Sequence, residues 1–186
     1  MKSRIFARAI SMLLGTFMVL SLAASNAQAA GAVPALLNKT IKVSFTAQRT
    51  LRRMDGSIVT PSINYQQLLY VSSAGRIFVR LTGQSVRGTR TGEAGPDDTT
   101  TPDGDARSAS FQGNKIVLMS NRGGGARRMV ISFDRNYSGC SVDLAFGKPN
   151  GGPFMQRGPR GGMAELISTS FSGQDCSIVE GNAFAN

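Results

Sequence analysis

The chain has 186 residues, 21 Lys plus Arg against 11 Asp plus Glu, two cysteines, and neither histidine nor tryptophan. Without an imidazole there is no Ser-His-Asp or Cys-His catalysis and no histidine-ligated zinc, and two cysteines are too few for an all-cysteine zinc site. A net charge of +10 favours association with anionic surfaces and polymers but carries no information about fold.

The first segment carries Lys2, Arg4 and Arg8 and no acid, followed by an apolar run over 10–24 and then Ala27-Gln28-Ala29. This order of positive start, short apolar middle and small-x-small exit predicts a secretory signal peptide over 1–29, cut between Ala29 and Ala30. The run is shorter than the ~20 residues that a spanning helix needs, so an N-terminal anchor is the weaker reading. The chain is then expected in the periplasm or outside the cell, not membrane-spanning once the signal is removed. Loss of three basic residues leaves 18 Lys plus Arg against 11 acids, a charge of +7.

Export sets the redox conditions. Disulfides persist outside the cytoplasm, so Cys140 and Cys176 are expected to form one bridge, with a pair of buried free thiols as the alternative.

Residues 30–186 suit a single domain. In 41–47 apolar residues alternate with polar ones, the pattern of a strand with one wet face. Segments 65–72 and 76–82 flank Ser73-Ala74-Gly75 and read as a hairpin. A second meander follows over 109–112, 115–120 and 127–134, turning at Gly113-Asn114 and in a glycine loop over 121–126. Cys140, Val142, Leu144 and Phe146 share one parity, which puts the sulfur on the apolar side of its strand. The last predicted pair is 163–171 and 176–179, turning near Gly173. Two long links separate these strands. One, 83–107, is polar and acidic; the other, 147–162, is a basic Gly/Pro loop with Phe154 and Met155 at its tip.

Short links between consecutive strands predict an all-β fold, an antiparallel up-and-down barrel of about eight strands, because a closed meander hides its edges. A β-sandwich is the alternative; its immunoglobulin-like form usually carries a buried tryptophan that this chain lacks. The aromatic residues Phe45, Tyr70, Phe78, Phe111, Phe133, Phe146 and Phe171 fall about one per strand and are assigned to the core.

The acids at 97–105 miss the calcium-loop spacing, so no metal site is expected. The glycine loop at 121–126 lacks the Lys-Ser/Thr and the following helix of a phosphate cradle. Arg122, Arg127, Arg128, Arg157 and Arg160 are candidate anion-binding residues for an envelope polymer; export argues against nucleic acid. No Ser-x-x-Lys or Gly-x-Ser-x-Gly occurs, and the strand carboxylates Asp134, Asp143 and Glu165 sit at polar-face or strand-end positions.

The phrases "SSAGRIFVR", "GGARRMVISFD", "YSGCS" and "CSIVEGNAF" resemble an uncharacterised family of small exported proteins of Gram-negative bacteria. The resemblance covers most of the chain after the signal and implies export and paired cysteines, but no activity. The reading that follows is an exported binding module, without cofactor, for a small apolar ligand inside the barrel or an anionic envelope polymer outside it. An envelope structural or interaction protein without a cavity is the alternative, and a carboxylate-based hydrolase is the third reading.

Overall fold

The computed structural model of the protein describes residues 31–94, 106–122, 125–147, 154–157 and 162–184. The signal segment with Ala29 and Ala30, the acids at 97–105, and Arg160 lie outside them. After a short 3-10 turn at Pro34–Leu36 the described chain is all strand: β1 (Lys39–Arg53), β2 (Ile58–Val59), β3 (Ser62–Val71), β4 (Ile77–Ser85), β5 (Gly88–Ala94), β6 (Ala106–Gln112), β7 (Lys115–Arg122), β8 (Gly125–Phe133), β9 (Cys140–Gly147), β10 (Phe154–Arg157) and β11 (Met163–Glu180). Every pairing is antiparallel. No helix among the described residues is long and apolar enough to cross a membrane.

Seven strands form a curled half-barrel sheet in the order β10-β11-β1-β3-β4-β5, with β2 on β1, and four form a second sheet, β6-β7-β8-β9. Within each sheet the paired strands follow chain order apart from β2, and the first long strand pairs with the last, β1 with β11, from Lys39↔Glu180 to Arg53↔Ala164. This is the order of an up-and-down meander carried on two sheets, with no ladder among the described residues between β5 and β6 or between β9 and β11.

The alternation expected in 41–47 places Ile41, Val43, Phe45 and Ala47 inside, each at most 2% exposed. They join Leu69, Val71 and Ile77 from β3 and β4 and Ile116, Met129, Ile131 and Leu144 from the second sheet in one main core. The 3-10 turn drives Leu36 into this core at 0% exposure and so plugs that end of the half-barrel. A smaller cluster of Leu51, Phe154, Ala164 and Leu166 occupies the other end of β1 and β11.

Two of the aromatic residues assigned to the core lie elsewhere. Tyr70 and Phe78 take the opposite parity to Leu69 and Val79 and pair across β3 and β4 on the outer face. Phe184 covers them: its ring lies 6.4 Å from that of Tyr70, and the Arg80 guanidinium stands 4.7 Å above it and donates to its carbonyl oxygen. Thr40 fixes the path of this tail, donating to Gly181 O at 2.7 Å and accepting from the Ala183 amide at 3.0 Å. A buried threonine hydroxyl that uses both its donor and acceptor roles stabilises rather than costs.

The structure also corrects the long links and the last hairpin. Within 83–107, β4 continues to Ser85 and β5 follows, with Thr82 and Thr91 hydroxyls 3.1 Å apart across the pair. Threonine backs strand structure through its β-branch, while Gly and Arg gave the segment a loop-like composition. Within 147–162, Phe154 is buried at 9% exposure because it fills the smaller cluster, which makes 154–157 a strand instead of a loop tip. Segments 163–171 and 176–179 are one strand, with no turn at Gly173. Register shifts by one step between Ser44↔Asp175 and Thr46↔Ser172, and Gly173 takes φ +59° in the resulting bulge, where a side chain would be strained.

The expected bridge is present: Cys140 and Cys176 are disulfide-bonded with Cα atoms 5.6 Å apart. It joins β9 to β11 at a seam where no strand ladder runs. Farther along the same seam, Phe146 of β9 meets Phe154 of β10 at 5.8 Å between ring centroids. Asp134 shapes the turn that delivers Cys140. Its carboxylate accepts from the Ser138 hydroxyl at 2.8 Å and from the Ser138 and Asn136 amides at 2.9 and 3.1 Å. These bonds, the Ser138 hydroxyl's first, hold its pKa below the ordinary 3.8.

A bridge over a sequence separation of 36 should stabilise the fold by roughly 4 kcal/mol through the unfolded chain's lost entropy. Denaturant unfolding of oxidised protein against Cys140→Ser/Cys176→Ser should show a loss of that order; equal midpoints would mean the seam holds without it. For Asp134 the folded pKa lies below the unfolded one, so its contribution is present above about pH 4 and is lost as pH falls through the folded value. The difference in melting temperature between wild type and Asp134→Ala should therefore narrow as pH falls below about 4. A difference that is constant with pH would contradict the assigned role.

Candidate binding site on the inner face of the half-barrel

The inner face is not filled evenly. Along β1 and β3 the residues at the plugged end, Ile41, Val43, Leu69 and Val71, are 0% exposed. Toward the other end the inner-parity residues Ile63, Tyr65, Leu81, Thr169 and Phe171 are only half-buried. The alternation of β1 then carries one more step past Ala47 and sets Arg49 on this same inner face, before Leu51 restores the apolar pattern in the smaller cluster.

Arg49 is held from two sides. One terminal nitrogen donates to Gln156 Oε1 on β10 at 3.1 Å and the other to the Tyr65 hydroxyl on β3 at 2.9 Å. Thr169 of β11 faces it across the ladder. A guanidinium has five N–H donors, and these two bonds use two of them. Neither the Lys39–Glu180 nor the Arg52–Glu165 ion pair involves Arg49, which has no carboxylate partner among the described residues. Gln156 Nε2 and Thr169 Oγ1, both buried, have no hydrogen-bond partner, nor does Oε1 of Gln67, which is 1% exposed and follows Tyr65 by one inner step on β3.

The Tyr65 ring is positioned by its neighbours. It stacks on Phe45 at 5.1 Å between centroids, and Phe171 meets Phe45 edge-on at 5.9 Å. On its other side lies Gly83, its partner on β4. A Cβ at Gly83 would stand 2.8 Å from the ring's Cε1, so only glycine permits this close approach.

The arginines nominated from sequence are not assembled into one patch. Arg127 follows the inner parity of Met129 and is half-buried, whereas Arg128 is exposed on the opposite face of β8. Arg122 and Arg157 end β7 and β10; their side chains, and all of Arg160, fall outside what is described. The three carboxylates sit on separate elements: Asp134 in its turn, Asp143 exposed on β9, and Glu165 on β11 beside Arg52 at 3.4 Å. Among the described residues no group of three or more potential ligands could hold a metal ion. Arg49, Tyr65, Gln156 and Thr169 are the residues that the sequence reading missed. The signal available for Arg49 was the odd-position alternation from Ile41 onward, which Leu51 resumes.

The chain matches no family model, no curated protein and no solved structure.

The Gly83 contact yields a direct test. Gly83→Ala should destabilise the protein by about 1–3 kcal/mol through overpacking against Tyr65. In a Tyr65→Leu background the same substitution should cost markedly less, as a double-mutant cycle in denaturant would measure; additive costs would show that the ring does not need the space.

Proposed function

We propose that this chain is an exported binding module that holds a small, largely apolar molecule on the inner face of its half-barrel. The observation that carries this reading is the uneven interior: one end closed by Leu36 and fully packed, the other lined by half-buried Ile63, Tyr65, Leu81 and Phe171 around a few polar groups. An apolar concave surface with a small number of oriented polar atoms is what a small-molecule site requires. The leader over 1–29 would deliver the chain to the periplasm or beyond the cell, and the Cys140–Cys176 bridge supports that destination because disulfides persist there. The phrases "YSGCS" and "CSIVEGNAF", read as resembling small exported proteins of Gram-negative bacteria, would imply the same route.

Binding to an envelope polymer through surface arginines has less behind it, since Arg127 and Arg128 point to opposite sides of β8. The test uses a neutral environment-sensitive dye, N-phenyl-1-naphthylamine, titrated with the oxidised chain from residue 30. Saturable one-site fluorescence enhancement, abolished by Thr169→Trp without loss of melting temperature, is expected. Linear, non-saturating enhancement would overturn the reading.

A further inference from the structure

We infer that Arg49 is the anchor for the carboxylate of an amphipathic ligand, so that the molecule bound on the inner face is an organic acid with an apolar body. This rests on the binding-module reading and specifies the substrate class of the same site.

A guanidinium turned toward a protein interior loses hydration, and that loss is offset only by an opposing charge or by a full set of hydrogen bonds. Arg49 has neither: two of its donors are engaged, by neutral acceptors, and no acid stands beside it among the described residues. The two engaged partners fix the plane of the fork from β3 and β10, strands on opposite sides of β1 and β11, so the cation is oriented as well as placed. A planar, oriented guanidinium matches a carboxylate in two parallel bonds, a geometry that an ammonium cannot offer.

The neighbouring polar atoms are complementary to the same group. Gln156 Nε2 is a donor without a partner, carried on the very amide whose oxygen holds Arg49, and Thr169 Oγ1, without a partner on the strand position facing Arg49, can donate as well. A carboxylate provides about four lone-pair sites for such donors. The groups around this point are apolar on both sides along β1: Phe45 and Ala47 before it, Leu51 after it. An inorganic anion would satisfy the donors yet leave the half-buried Ile63 and Phe171 wet, whereas an acid with an apolar chain satisfies both. A purely structural role, tying β10 to β3, accounts for the two bonds present but not for the two buried donors, Gln156 Nε2 and Thr169 Oγ1, left without partners.

The experiment compares dodecanoate with 1-dodecanol as displacers of N-phenyl-1-naphthylamine from the oxidised chain, at a pH where the acid is ionised. Wild type should prefer the acid by roughly tenfold or more, the scale of a hydrogen-bonded charge. Arg49→Met should reduce that preference to about one while still binding the alcohol, Arg49→Lys should retain part of it, and the exposed Arg90→Met should leave it unchanged. If wild type binds both equally, the inference is overturned while the binding-module reading stands; if neither displaces the dye and the dye itself does not bind, both fall. Should Arg49→Met fail to fold, the wild-type comparison and Arg49→Lys still decide. A preference fully retained in a folded Arg49→Met protein would likewise exclude Arg49 as the anchor.

Discussion

The pairing of β1 with β11 is the constraint on which the rest of the structure depends. These are the two longest strands, they stand at opposite ends of the described chain, and their ladder runs from Lys39↔Glu180 to Arg53↔Ala164. Such a contact carries a large loop-closure cost, which the burial of Ile41, Val43, Phe45 and Ala47 must offset. Once it forms, the meander on either side has fixed ends. β3 to β5 extend one edge and β10 the other, and the second sheet is brought against the same apolar face.

The disulfide acts on the same geometry from another side. A sheet that curls without a ladder at the β9/β11 seam leaves strand edges facing each other with unmatched backbone groups, a hazard for association and for opening. Cys140–Cys176 ties one end of that seam and the Phe146–Phe154 contact lies farther along it. The Asp134 turn, by fixing where β9 starts, makes the position of Cys140 a consequence of local hydrogen bonding and not of the bridge alone. The two core clusters are correspondingly separate along β1, and the interval between them is where the polar inner-face residues lie.

How much of this was legible in the sequence follows from what each residue pattern can encode. The odd-position alternation of 41–47, the hairpin around Ser73-Ala74-Gly75 and the parity of Cys140 with Leu144 are local signals, and the structure agrees with each. The continuity of β11 was hidden because "SFSGQD" looks like a turn; only the facing β1 strand makes it a bulged strand. β5 was hidden because its residues are polar on both faces, and β10 because Phe154's burial depends on Leu51 and Leu166 from distant segments. Arg49 is the most instructive omission. Read alone, an arginine after an apolar run marks the end of a core strand; read with Leu51, it is a cation placed inside by the same period that places Phe45 and Ala47.

Native-state hydrogen exchange on the oxidised chain tests the primacy of the β1–β11 ladder most directly. The amides of β1 from Ile41 to Ala47 and their partners on β11 should exchange only through global unfolding, with the slowest rates in the molecule, while β5 and β10 exchange through local opening. Fast local exchange along β1 and β11, with the slowest amides confined to β7 and β8 of the second sheet, would contradict this account.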